Sequence, residues 1–411
     1  MGGKAVAMYS PAYSQYTFSP DHPFQPKRLD LTMELINEMN LLLLEDLTDP
    51  VPALREELLL THHVDFIDVV RRLSQPEEEM IYDRSGMGAG EAISPQKFGL
   101  GSEDTPVFPR MYEAARMVVG GTLKAAQLIV TGIVSHAVNF AGGLHHAQHA
   151  KAAGFCVFND AAVAISYLRK NYPDMKIAYV DIDAHHGDGV QQLFYSDPQV
   201  LTISIHETGR YLFPGTGKIK ELGEGMGYGY SVNVPLEAFT EDDSWMTSFD
   251  RVVIPCIQQF RPDLIVFQAG CDAHYLDPLT HLSCTTQIYS HASRVMHKLA
   301  HQVAGGKLLV LGGGGYDIWR VVPRAWTLVW AEIAGRSYEE QVAENWIEKF
   351  QGDSPYPLPR LMSDKIDDLP KIPRRQVIEE KNEIIVEQLL SEICWLKRKR
   401  KTTDIIMNIG Y

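Results

Sequence analysis

Tyr179-Val180-Asp181-Ile182-Asp183-Ala184-His185-His186-Gly187-Asp188 ends a short apolar run, Ile177 to Val180, in three carboxylates and two imidazoles. The run reads as a buried strand, and a buried strand has no structural use for that load. Each unpaired buried charge costs several kcal/mol unless a partner or a metal offsets it. Asp183 and His185 alternate along the chain, so in extended backbone both side chains leave the same face. One oxygen and one nitrogen then converge on a single point, and the stretch reads as half of a metal site.

Working outward, strand-like runs recur near 4–9, 133–140, 176–183, 200–206, 230–234, 263–269 and 307–311. Helix-period segments lie between most of them, at 28–44, 53–73, 109–131, 159–171, 241–260, 285–304 and 317–335. Alternation of apolar strands with helices predicts an α/β fold. It is expected to be one large three-layer domain, with a mostly parallel sheet covered by helices on both faces. Glycine-rich stretches at 83–106 and 207–229 read as long functional loops. Beyond 335 the character changes. Residues 336–411 read as a C-terminal extension with a proline-rich strap at 351–375, a helix near 376–396 and a basic tail, Lys397 to Lys401. Self-association and support of the surface of residues 1–335 are both open to it, and the oligomeric state is left open.

A formal charge of −14 over 411 residues argues against nonspecific nucleic-acid binding and favours cationic substrates. Five cysteines, an odd number with no C-x-x-C pair, indicate a reducing compartment without a disulfide framework. Met1-Gly2-Gly3-Lys4 leads into a strand-like run rather than a signal core, and no apolar stretch is long enough to span a bilayer. A cytoplasmic protein with no membrane or nucleic-acid partner is expected.

Asp272, in Gln268-Ala269-Gly270-Cys271-Asp272, follows the apolar run Leu264 to Phe267 and is the candidate third ligand. Two aspartates and a histidine leave an ion open positions for water and substrate. His145-His146 follow Gly142-Gly143-Leu144 past another strand end. They read as an acid–base pair needing carboxylates to fix their tautomers, and Asp181 and Asp188 remain free for that work. Gly312-Gly313-Gly314-Gly315 delivers Tyr316 at a fourth strand end. The run is not a dinucleotide-binding G-x-G-x-x-G; the phenol instead suits an oxyanion.

In this order the motifs resemble the histone deacetylase superfamily, most closely its bacterial acetoin-utilisation branch. The resemblance covers roughly residues 5–335, through Tyr9-Ser10-Pro11, Gly142 to His146, Gly154 to Asp160, Asp181 to Asp188, Leu212 to Gly217, Gly270 to Asp272 and Gly312 to Tyr316. It implies an arginase-like fold, a catalytic domain over 1–335, and zinc-dependent deacetylation of lysine-like amines, with Fe2+ as the alternative ion. Asp183, His185 and Asp272 would hold the metal. His145 would pair with Asp181 and His146 with Asp188, His146 being the general base and proton donor, and Tyr316 would bind the acetyl oxygen. Phe155, Phe213 and Leu279 match channel walls, Gly154 the carbonyl that accepts the substrate amide, and Asp104 the rim aspartate. A K+ or Na+ ion would use Asp181, Asp183 and His185 with Ser204 nearby, and a second would use carbonyls of Phe194 to Val200. The expected partner is an acetylated protein, for instance a metabolic enzyme such as an acyl-CoA synthetase, or else a small acetylated amine.

Two-manganese ureohydrolases share that fold and bridge their ions with further carboxylates. Here His274 and Gly187 stand where two of those carboxylates belong, which favours one ion. Acetylpolyamine amidohydrolases are the nearer rival, with His274 and Tyr275 expected near the rim as selectivity elements. A non-catalytic binding module would have lost a ligand or Tyr316, and none is lost.

Overall fold

The computed structural model describes residues 4–75, 94–365, 369–393 and 395. The expected loop at 83–106 falls outside them up to residue 93, as does the basic tail. Among the described residues eight strands form one sheet: β1 Ala5–Met8, β2 Leu47–Thr48, β3 His136–Asn139, β4 Ile177–Asp181, β5 Val200–Glu207, β6 Ser231–Leu236, β7 Leu264–Gln268 and β8 Leu308–Leu311. Their order is β2-β1-β3-β8-β7-β4-β5-β6, and every pairing is parallel. The seven expected strands are present, and each is buried on both faces. β2 is the addition, a two-residue edge strand too short to carry a period.

From β4 the chain steps outward through β5 and β6, then crosses back to set β7 on the other side of β4, with β8 beyond it. This reversal opens a crevice at the carboxyl ends of the central strands, where open α/β sheets bind ligands. Register aligns those ends: Asn139 faces Leu311, Leu311 faces Gln268, Gln268 faces Asp181 and Asp181 faces Ser204. Four loops therefore leave one edge side by side.

The helices among the described residues are α1 Lys27–Glu38, α2 Arg55–Leu58, α3 Val64–Leu73, α4 Met111–Val130, α5 Asp160–Asn171, α6 Asp188–Leu193, α7 Asp242–Phe260, α8 Gln287–Val303, α9 Val322–Ile333, α10 Glu344–Phe350 and α11 Arg375–Glu392. One layer runs α1-α9-α8-α7-α11, and the other is built on α3, α4 and α5. Two helices differ from expectation. The segment at 28–44 stops at Glu38, because Asn40 takes a left-handed φ of 57°. The segment at 53–73 breaks into α2 and α3 at a histidine pair. His62 Nδ1 lies 2.9 Å from the Gln148 carbonyl, and His63 donates its amide to the His149 carbonyl. Those long-range bonds pull the pair out of helical register.

The described residues after 335 lie against the sheet's helices. Trp346 of α10, a helix absent from the sequence reading, donates its indole N–H to the Leu31 carbonyl at 2.9 Å and packs with Leu35, Leu328 and Met362. α11 buries Ile378, Asn382, Val386 and Leu389, one face at helical spacing. Asn382 accepts the Glu237 amide at 2.9 Å and donates to Thr240 and Ser244. Asn382→Ala leaves that buried amide unpartnered, so it is expected to lower stability by about 1–3 kcal/mol. A urea midpoint lowered by less than 0.2 M, at unchanged slope, would show that α11 is only loosely docked. No helix among the described residues is long and apolar enough to cross a membrane.

Candidate active site

Asp183 and His185 leave the end of β4, and Asp272 leaves the end of β7. One ligand atom from each lies within 4.8 Å of the others. All three are buried, Asp272 completely. His185 Nδ1 faces both carboxylates, 3.2 Å from Asp183 Oδ1 and 2.8 Å from Asp272 Oδ2. The remaining oxygens are held by backbone: Asp183 Oδ2 accepts from Gly314 N, and Asp272 Oδ1 from Ala184 N. Gly314 is required there, since a Cβ would stand 2.3 Å from Asp272 Oδ2.

Burial, aided by the neighbouring Asp183 charge, pushes Asp272 up to about 6. Burial would also lower His185, but its bonds to both carboxylates outweigh this and hold it well above the ordinary histidine range. Two buried carboxylates so close demand positive charge between them. A proton on His185 meets the demand, and a divalent ion meets it better. One imidazole nitrogen and two carboxylate oxygens fit zinc or ferrous iron with positions left open.

The loop after β3 brings both histidines to this point. His145 Nδ1 lies 2.7 Å from Asp181 Oδ2, and His146 Nδ1 lies 2.7 Å from Asp188 Oδ1. Their Nε2 atoms face each other at 3.0 Å. Burial depresses His145, yet Asp181 and Asp183 overcome it and raise the group to about 9. For His146, burial and the cationic His145 outweigh Asp188 and lower it to about 4. One histidine is therefore held charged and its neighbour neutral. Both Nδ1 atoms are engaged alike by carboxylates, so it is this difference in charge that puts the proton between the Nε2 atoms on His145.

Tyr316 emerges from the glycine run with its amide held by Asp277 Oδ2 at 2.8 Å. The same carboxylate takes the Leu279 amide at 3.0 Å, so Leu279 sits beside that loop. Burial, with Asp272 and Asp183 adding to it, raises the Tyr316 phenol well above its usual value and keeps it a donor. Its ring meets Phe155 edge-on at 5.8 Å, while Phe213 meets His146 at 5.0 Å. Phe213 is 46% exposed and opens this corridor to solvent. At its rim the exposed Asp104 accepts the Gly154 amide at 2.8 Å. Ser204 pairs in register with Asp181, its hydroxyl 2.8 Å from His206 Nδ1.

Four positioning residues escaped the sequence reading. Asp160, fully buried, accepts the Gly143 and Leu144 amides and so orders the turn before His145. Gln268 donates to the Gly143 carbonyl at 3.0 Å. The Tyr179 hydroxyl lies 2.7 Å from Asp181 Oδ2 and 2.6 Å from Gln268 Oε1. The Arg28 guanidinium, under Phe24 and Trp326, donates to the Gly315 carbonyl just before Tyr316. Only Asp160 left a signal, an acidic residue opening a helix after Asn159.

One expectation needs correcting. His274 is not near the rim: it is wholly buried, its Nε2 3.0 Å from Asp364 Oδ2, with Tyr275 stacked on it. The place a bridging carboxylate would fill thus serves to dock the segment around Asp364, which also pairs with Arg324. Gly187 has a similar logic. A Cβ there would stand 2.5 Å from Asp181 Oδ2, so the His145–Asp181 dyad occupies the room a second carboxylate needs. His186 turns away, to Thr216 and Gln191.

Residues 22–333 match the histone deacetylase domain. The acetoin utilization protein AcuC of Bacillus subtilis is 48% identical over 389 residues, covering 95% of this chain and 97% of that protein. Its counterpart in Staphylococcus aureus is 39% identical over 399 residues, covering 97% and 98%. Among solved structures, an HDAC homolog complexed with SAHA superposes with a TM-score of 0.77 at 29% identity, covering 94% of this chain and all of that one. An HDAC homolog from Aquifex aeolicus gives 0.76 at 29% identity, covering 92% and 100%. Matched along nearly its whole length by acetoin-utilisation proteins, the chain belongs to the histone deacetylase family and is a deacetylase of the AcuC type.

Proposed function

We propose that this deacetylase works in the cytoplasm on acetyl-lysine side chains of proteins, using one zinc ion held by Asp183, His185 and Asp272. One observation carries the reading. Three metal-ligand side chains, two His–Asp dyads and a protonated phenol converge on one buried point, reached past Phe155 and Phe213 from an exposed acidic rim. Zinc bound there supplies a Lewis acid that polarises the acetyl carbonyl and acidifies a water.

The chain's own groups do the rest. Neutral His146, oriented by Asp188, takes a proton from the attacking water and returns it to the leaving amine. Charged His145, held by Asp181, steadies the negative charge that develops. The Tyr316 phenol donates to the acetyl oxygen. Phe155, Phe213 and Leu279 enclose the four-methylene stem of lysine, and the Gly154 carbonyl accepts the acetamide N–H. Asp104 grips backbone amides at the rim, a role that a free polyamine would leave idle. This favours protein substrates over small acetylated amines.

The decisive assay measures kcat/KM for an acetyl-lysine peptide and for acetylated spermidine side by side. A peptide preference of tenfold or more is expected, and a polyamine preference would overturn the substrate class. A hydroxamate, which chelates zinc, is expected to inhibit competitively. Indifference to it at millimolar concentration would count against an open metal position.

A further inference from the structure

A second group of metal-ligand type lies at the opposite end of β3 from the dyads. His136 is the first residue of that strand, and His297 and His301 stand one turn apart on one face of α8. One ring nitrogen from each lies within 4.8 Å of the others. The three rings splay around a common centre. His136 meets His297 at 4.8 Å and 84°, and His301 at 5.2 Å and 80°, while His297 and His301 stand at 5.0 Å and 53°.

From this arrangement we propose that His136, His297 and His301 form a second binding site for a divalent first-row transition ion, Zn2+ above all, separate from the catalytic centre. Two nitrogens each about 2.0–2.1 Å from a tetrahedral ion stand about 3.3–3.4 Å apart. The Nε2 atoms of His297 and His301 are 3.2 Å apart. A hydrogen bond between them would also account for that distance, but it does nothing for His136. That side chain is wholly buried, and among the described residues neither of its ring nitrogens has a partner. Folded proteins rarely bear such an orphaned group, and an ion at the centre of the triad would engage one of its two nitrogens.

The support behind the triad points the same way. Glu332 Oε1 lies 3.3 Å from His297 Nδ1, and Arg294 holds its other oxygen at 3.8 Å. A carboxylate on Nδ1 puts the proton there and leaves the Nε2 lone pair for a metal. Three imidazoles without a carboxylate ligand select zinc, copper or nickel over magnesium or calcium. His297 and His301 are only half-buried, so the ion has a path from solvent and a fourth position for water. Bound there, it would tie the start of β3 to the C-terminal half of α8.

The test counts ions. Full-length protein, stripped of metal, is dialysed against Zn2+ and its zinc content per chain measured by atomic emission. His297→Gln and His301→Gln keep good helix formers at half-buried positions, and each is expected to carry one Zn2+ fewer than the unaltered chain at unchanged deacetylase turnover. Zn2+ should also raise the melting temperature of the unaltered chain more than that of either variant. Equal zinc content in all three proteins would overturn the proposal. Asp183→Ala separates this site from the catalytic one: it should keep the ion that the glutamine variants lose. If the ion lost on His301→Gln were the same one lost on Asp183→Ala, the sites would not be independent and the proposal would fail.

Discussion

Tyr316→Phe is expected to lower kcat by about 10²–10³, equivalent to about 2.7–4 kcal/mol, with zinc content unchanged. The substitution removes one hydroxyl and keeps the ring, so the edge-on contacts with Phe155 and His185 persist. The backbone stays in place as well, because Asp277 holds the Tyr316 amide and Arg28 the preceding carbonyl. What is lost is a donor aimed where negative charge develops. The substrate's acetyl oxygen carries little of that charge before attack, so KM should move far less than kcat. Burial and the Asp272 and Asp183 charges keep the phenol protonated across the neutral range, so the deficit should be the same at pH 6 and pH 8. Activity within threefold of the parent would show that Tyr316 does not act on the oxyanion. A fall in zinc content would show that it shapes the metal pocket instead.

Why the candidate ligands stand out in the sequence, and the groups that hold them in place do not, follows from the range of the forces involved. Asp183 and His185 betray themselves because charge at the end of an apolar strand is anomalous within ten residues of chain. Asp272 repeats the anomaly, and a parallel sheet brings strand ends together. The order β3-β8-β7-β4 was not visible, since it depends on the crossover from β6 to β7, and no local pattern encodes that. Asp160, Gln268 and Arg28 act on backbone groups of distant segments, Gly143, Leu144 and Gly315. Their own neighbourhoods look like an ordinary helix start, strand end and helix. His274 was misplaced for the same reason. Its partner Asp364 lies 90 positions away, inside a segment that composition alone described as a strap. The break between α2 and α3 likewise reflects bonds to Gln148 and His149, which a helical period cannot register.

The two adjacent histidines should separate cleanly in kinetics, although they differ in sequence by one position. His146→Ala removes the neutral base and is expected to lower kcat/KM by about 10²–10⁴. His145→Ala removes a charge rather than a proton acceptor, so its loss should be smaller and should appear in the pH profile. In the parent, burial and the His145 charge hold His146 at about 4. The acid limb of kcat/KM should therefore fall only in that region, where His146 gains a proton. The alkaline limb should lie near 9, where His145, raised by Asp181 and Asp183 against its burial, loses its proton. Deleting His145 removes the larger of the two charges that, with burial, lower His146. Its pKa then moves upward toward the ordinary histidine value of about 6.5, the acid limb moves up with it, and the alkaline limb near 9 disappears. Assays from pH 4 to 10 on the parent and both variants decide the matter. A larger loss in His145→Ala than in His146→Ala, with the acid limb unmoved, would exchange the two roles. That exchange would make the Asp181 dyad, the one built into the end of β4, the proton-transferring pair.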